Sequence, residues 1–122
     1  EAVGENKGKF DIKTRALMPL IDGARLLVLN LNIKGINNTY LRYKQLAITD
    51  PKYSEIYLDC AEAFIILSKF RTLEGLKNDS TGQFINLDEL TKIDKDKLKN
   101  ALAPMKELEE LIKYKFQLTQ FS

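Results

Sequence analysis

The sequence predicts an all-α fold, an up-and-down antiparallel four-helix bundle. Three observations predict it. Apolar residues recur at the helical period over four long segments. The links between those segments are short and carry Gly, Asn, Asp and Ser. No alternating apolar and polar run is long enough to make a sheet. The chain has 122 residues, of which 44% are hydrophobic and 30% charged. That suffices for one domain with a core of its own. The expected division is a linker over residues 1–12 and a helical bundle over residues 13–122.

Residues Glu1 to Lys9 are polar and glycine-bearing, suited to a linker or an incoming strand end. Phe10 to Arg15 alternates apolar and charged residues into the central helix, Leu17 to Ile33. Leu17, Leu20, Ile21, Ala24, Leu27, Val28 and Leu31 follow its period, while Leu26, Leu29 and Ile33 fill most of the other side. A helix apolar nearly all round is expected at the centre of a domain. It is too short and too polar for a membrane span, with Asp22 and Arg25 inside it. Pro19 belongs in the first turn, and Asn32 and Gly35 are stop residues. Asp22 and Arg25, three apart, can pair with each other.

The second helix takes Asn38 or Thr39 as its cap, with Tyr40, Leu41, Tyr43, Leu46 and Ile48 as apolar surface. Asp50 caps the third helix, whose first position is Pro51. That helix runs to about Leu76, with a stripe of Tyr53, Ile56, Tyr57, Cys60, Phe64, Leu67 and Leu73. Glu55, Asp59 and Glu62 share another face, either a metal-binding row or a solvated, Lys-paired one. Asn78 to Gly82 is a loop, and Phe84, Ile85, Leu87 and Leu90 tuck it onto the bundle. The last helix spans Asp94 to Leu118, capped by Asp94, with Leu98, Ala101, Met105, Leu108, Ile112 and Phe116 inward. Pro104 removes the bond to the Asn100 carbonyl and predicts a kink or a short break.

Composition excludes much chemistry. Lys plus Arg is 19 and Asp plus Glu 17, a net of +2, so nucleic acid is a disfavoured partner. The chain has no histidine, hence no Ser/His or Cys/His couple. Cys60 is the only cysteine and suits a small core position in a reducing cytoplasm. There is no signal peptide, no membrane span, no phosphate-binding glycine loop and no paired cysteines. The abrupt start fits a piece of a longer polypeptide. No catalytic residue, metal site or cofactor is expected in this chain. What remains is a set of arginines. Arg15 precedes the central helix, Arg25 lies within it, Arg42 is in the first turn of the second helix, and Arg71 is near the end of the third. Guanidinium groups grip phosphate and carboxylate bidentately, and helix starts add free N–H groups. Each arginine can equally pair with a carboxylate of the bundle.

Several runs match a known pattern. Asp11-Ile12-Lys13-Thr14-Arg15-Ala16-Leu17-Met18-Pro19, followed by Ala24-Arg25, resembles a D-[LI]-K-x-[RK]-x-[LM]-x-P motif with a trailing A-R. Asn38-Thr39-Tyr40-Leu41-Arg42 resembles N-T-x-x-R. Phe70-Arg71 is similar to an L-R pair, and Leu108 to Phe116 to a closing L-x-E-L-I-x-x-x-F segment. Together they resemble the nucleotidyltransferase substrate-binding domain. That family lies at the C-terminus of bacterial proteins with CBS or cyclic-nucleotide-binding domains and a catalytic domain similar to that of protein-PII uridylyltransferase. The resemblance implies a helical domain beside a nucleotidyltransferase domain of the same polypeptide. That neighbour would bind Mg and a nucleoside triphosphate and act on an acceptor, which can be a protein. It also implies Lys13, Arg15, Arg25, Asn38, Thr39, Arg42 and Arg71 as lining of a substrate cleft. Glu74-Gly75 and Gln83-Phe84-Ile85-Asn86 depart from the family pattern and are not carried over. The alternative is an interaction or homodimerisation module of a signal-transduction protein, with its arginines used structurally. Convergence of the arginines on one concave face favours the first; dispersal favours the second.

Overall fold

A computed structural model describes residues 8–121 of the protein. The expected linker therefore lies partly outside the described residues. Within them, β1 (Lys9–Asp11) leads through Ile12 into a π turn at Lys13–Leu17 and α1 at Met18–Asn30. Then come α2 (Thr39–Thr49), a 3-10 turn (Pro51–Tyr53), α3 (Ser54–Asn78), β2 (Phe84–Asn86) and a second 3-10 turn (Leu87–Glu89). The chain closes with α4 (Lys92–Leu102) and α5 (Pro104–Phe121). The fold is mostly helical. α1 packs on α2 and α5, and α3 packs on α2, α4 and α5.

The small sheet was not expected. β1 and β2 pair antiparallel, with Phe10 opposite Ile85. The alternation at Phe10 to Arg15 registers in sequence, but strands of three residues are too short for it to announce a sheet. Their role is to seat Ile12 and Ile85, both fully buried in the core.

The helix start also differs. The Met18 N–H donates to the Lys13 carbonyl, five residues back, so the helix enters α1 through a π turn. Pro19 sits at this junction, in the first turn of α1 as expected. A proline further inside a regular α-helix would clash with the carbonyl four residues back. The wider turn accommodates it without breaking the helix.

α1 is buried on one side. Leu20, Ala24 and Leu27 are fully enclosed, but Leu29 on the opposite side is 73% exposed. The helix stops at Asn30, ahead of the expected Ile33, because Asn32 takes a left-handed φ of 58°. Gly23 brings α1, α2 and α5 close. A Cβ there would sit 3.2 Å from both Leu108 and Ile112 and 3.3 Å from the Tyr43 hydroxyl. That hydroxyl donates to the Leu20 carbonyl, joining α2 to α1 inside the core.

Three caps resolve. Asn38 caps α2, its Oδ1 accepting from the Leu41 N–H at 2.9 Å, and Thr39 is the first helical residue. Thr91, three residues ahead of the expected Asp94, caps α4 by accepting from the Asp94 N–H at 3.1 Å. Asp94 thereby occupies the first turn, where a carboxylate opposes the positive end of the helix dipole. Asp50 precedes Pro51, but its side chain makes no capping bond. Of the kink or short break expected at Pro104, the structure has the break: α4 ends at Leu102, and Pro104 opens α5 at a position that needs no N–H. Leu98, Ala101, Leu108 and Leu111 stay in one core across it.

Candidate anion-binding groove

The π turn and α1 present Lys13, Leu17, Met18 and Ile21 toward one face of α3. That face carries Phe64, Ser68, Arg71 and Thr72, at helical steps of four, three and one. Between them lies a concavity of about 340 Å³. Leu17, Met18, Ile21 and Phe64 give it apolar walls, and its polar groups are an ammonium, a guanidinium and two hydroxyls. No carboxylate lines it.

Arg71 is held from behind. Its Nε–H donates to the Thr81 carbonyl at 3.0 Å. The loop can deliver that carbonyl only because Gly82 lies against α3. A Cβ on Gly82 would fall 1.9 Å from the Arg71 carbonyl oxygen, and its φ of +75° already favours glycine. Gly75 accepts the same loop from the other side, where a Cβ would fall 2.7 Å from the Ser80 carbonyl oxygen. The helix ends at Asp79 in a left-handed conformation, and the Ser80 N–H donates back to the Gly75 carbonyl.

Lys13 is placed by the neighbouring strand. The Asp11 carboxylate accepts from the Thr14 N–H at 3.0 Å and from the Gln83 amide at 3.3 Å. Burial acts to raise the Asp11 pKa, but these bonds and the charge of Lys13 outweigh it and hold the carboxyl below its usual value. Asp11 thus stays ionised beside Lys13 while its bonds fix the turn.

The other candidates lie elsewhere. Arg15 stacks over the Phe10 ring at 5.7 Å and lines a second concavity, with Pro19 and Met105. Arg25 pairs with Asp22 at 3.8 Å on the exposed side of α1. Arg42 donates its Nε–H to the Ile36 carbonyl at 2.7 Å. Its expected partner was a carboxylate or a phosphate. A backbone carbonyl ahead of the helix instead supplies the negative partner, and the side chain folds back to close the loop before α2. Neither Arg25 nor Arg42 lines the groove at Arg71 or the one at Arg15. The four arginines are thus dispersed, which taken alone favours the interaction module; of the seven candidates, Lys13 and Arg71 do line one groove together.

Residues 1–116 match the family described as "Putative nucleotidyltransferase substrate binding domain". The chain belongs to this family. No curated protein and no solved structure matches it. Within this substrate-binding domain, sequence reasoning missed Ser68 and Thr72, for which the one signal in the sequence is that they share a face with Arg71 at helical spacing. It also set aside Glu74 and Gly75. Glu74 is buried and bonded to the Asn78 amide, and Gly75 is required by the loop.

The groove can hold an anion and exclude part of it from water. It offers no nucleophile–base pair. Among the described residues, no group of three or more Cys, Asp or Glu is placed to hold a metal ion, and Glu55, Asp59 and Glu62 are all exposed. Among them, too, no helix is long and apolar enough to cross a membrane.

Proposed function

We propose that this domain binds a substrate for a nucleotidyltransferase domain of the same polypeptide, and that Lys13 and Arg71 are its principal substrate contacts. Family membership supports the general role. The observation that carries the assignment is the joint lining of one carboxylate-free groove by Lys13 and Arg71. The domain supplies position rather than chemistry, holding one reactant while the neighbouring domain performs the metal-assisted transfer. The ring of contacts among α1, α2, α3 and α5 supports an up-and-down bundle as its scaffold. A catalytic partner of the protein-PII uridylyltransferase type, in a cytoplasmic bacterial protein, completes the reading.

The test is nucleotide transfer by the parent polypeptide carrying Lys13→Ala and Arg71→Ala together. Loss of two charge-assisted contacts is expected to lower kcat/KM by about a hundredfold. The double variant must retain its helical circular dichroism. Unchanged transfer by a folded double variant would overturn the assignment. Concentration-dependent self-association, lost with the same substitutions, would favour the dimerisation module instead.

A further inference from the structure

The donor set of the groove narrows what it takes. A nucleoside triphosphate normally travels with Mg, which is held by one or two carboxylates together with the phosphates. No carboxylate lines this groove, so its own residues supply no ligand to the metal of a metal–triphosphate. Lys13 and Arg71 supply two positive charges. A phosphate monoester carries a charge of about −1.5 to −2 near neutral pH and presents several strong acceptor oxygens. Charge and acceptor number match without a metal. The Ser68 and Thr72 hydroxyls line the same groove and add two donors, and among the described residues neither side chain makes a hydrogen bond. The rest of the lining has a different chemistry. Phe64 and Met18 offer an aromatic and a thioether surface next to the cations, with Met18 41% exposed. A bare anion has no use for that surface. A flat ring attached to the phosphate does.

We infer that the groove between the π turn and α3 binds a metal-free phosphate monoester bearing a flat ring, with the phosphate at Lys13, Arg71, Ser68 and Thr72 and the ring against Phe64 and Met18. The inference rests on the substrate-binding reading in using the same groove, and it assigns that groove to a monoester rather than to the Mg-bound triphosphate donor. The Arg71 Nε–H stays on the Thr81 carbonyl, which leaves the two terminal nitrogens for the phosphate.

The test is titration of AMP, UMP, inorganic phosphate and ATP into the 122-residue chain, each with and without Mg, followed by calorimetry and by backbone amide NMR. AMP or UMP is expected to bind in the presence of a chelator, more tightly than inorganic phosphate, and to shift amides of residues 13–18 and 64–72. Lys13→Gln is expected to weaken binding by about tenfold or more. Arg71→Lys, which keeps the charge but not the fork, is expected to weaken it as well. Melting temperatures of both variants identify any loss that comes from unfolding. Binding that requires Mg would overturn the inference. So would equal affinity for inorganic phosphate, absence of monoester binding, or affinity unchanged in folded Lys13→Gln. The transfer assay on the parent separates the two claims. Lost transfer without monoester binding leaves the substrate-binding role and removes this one. Monoester binding with intact transfer in the double variant does the reverse.

Discussion

Lys115 Nζ on α5 lies 2.7 Å from Asp50 Oδ2, with the two side chains 12% and 17% exposed. The Tyr57 hydroxyl donates to the same oxygen at 2.6 Å. These contacts explain why Asp50 makes no side-chain cap. Its carboxylate is drawn from the backbone to two side-chain donors, fastening the α2–α3 corner to α5. Burial acts to raise the Asp50 pKa, but the Lys115 and Tyr57 bonds outweigh it and leave the pKa lowered. A lowered pKa means that the stabilisation is present above the unfolded value of 3.8 and is lost as pH falls through the folded value. Asp50→Asn is expected to cost about 3 kcal/mol, since it takes a charged hydrogen-bond partner from a shielded ammonium. Thermal melts across the acid range check both points: the wild-type chain should lose stability below about pH 4 through this group, and Asp50→Asn should lose less over that window.

The cap of α2 is settled in favour of Asn38, and its neighbour serves as an internal control. Asn38→Ala is expected to destabilise by about 1 kcal/mol and Thr39→Ala by clearly less. Chemical denaturation of both variants reads the difference. A larger loss at Thr39 would contradict the bond from the Leu41 N–H.

Cys60 is fully buried, and burial, followed by the charges of Asp59 and Glu107, pushes its thiol up to about 12. The raised value means that the stability this group contributes is intact below its ordinary value of 9.0 and is lost as pH rises toward the folded one. A thiol reagent at pH 8 is expected to label the native chain only at the rate of its opening, and the denatured chain at once. Fast labelling of folded protein would show that the α3 core is not closed.

Gly82 and Gly35 both adopt positive φ, +75° and +84°, but only Gly82 touches other backbone. Gly35→Ala is expected to cost about 1 kcal/mol for its conformation alone. Gly82→Ala adds a clash with the Arg71 carbonyl and must expel the loop, so a loss of more than about 2 kcal/mol is expected. Since that loop holds Arg71, the same substitution should also weaken the monoester binding proposed for the groove. Equal losses at the two glycines would mean that the loop does not lie against α3 in solution.

The helices were legible because their signal is local. Each stripe, such as Leu20, Ala24 and Leu27, repeats within a few turns, and the Asn38 cap lies next to the helix it starts. What sequence missed depends on distant partners. Nothing near Asp50 announces Lys115, and nothing near Ile36 announces that its carbonyl will take the Arg42 guanidinium. The π turn escaped because five- and four-residue bonding leave the same apolar pattern over one turn. At the groove, family-like motifs pointed to Lys13 and Arg71, whereas Ser68 and Thr72 follow only once α3 is set against the π turn.

The short ladder between β1 and β2 also bears on the order in which the molecule assembles. The Asp11 carboxylate and the Gln83 amide that meet beside it are 72 residues apart, and the intervening chain includes α1, α2 and α3. Closing a loop of that length in an unfolded chain costs roughly 4 kcal/mol of entropy, more than so few ladder bonds return. Once the three helices have packed, most of that entropy is already lost and the strand ends are close. The ladder therefore acts as a latch that engages late. Pulse-labelling exchange during refolding should protect the amides of α1 and α3 before those of Phe10 and Ile85. Because Lys13 and Arg71 lie next to the latched strand and loop, the groove acquires its final geometry only in that last step.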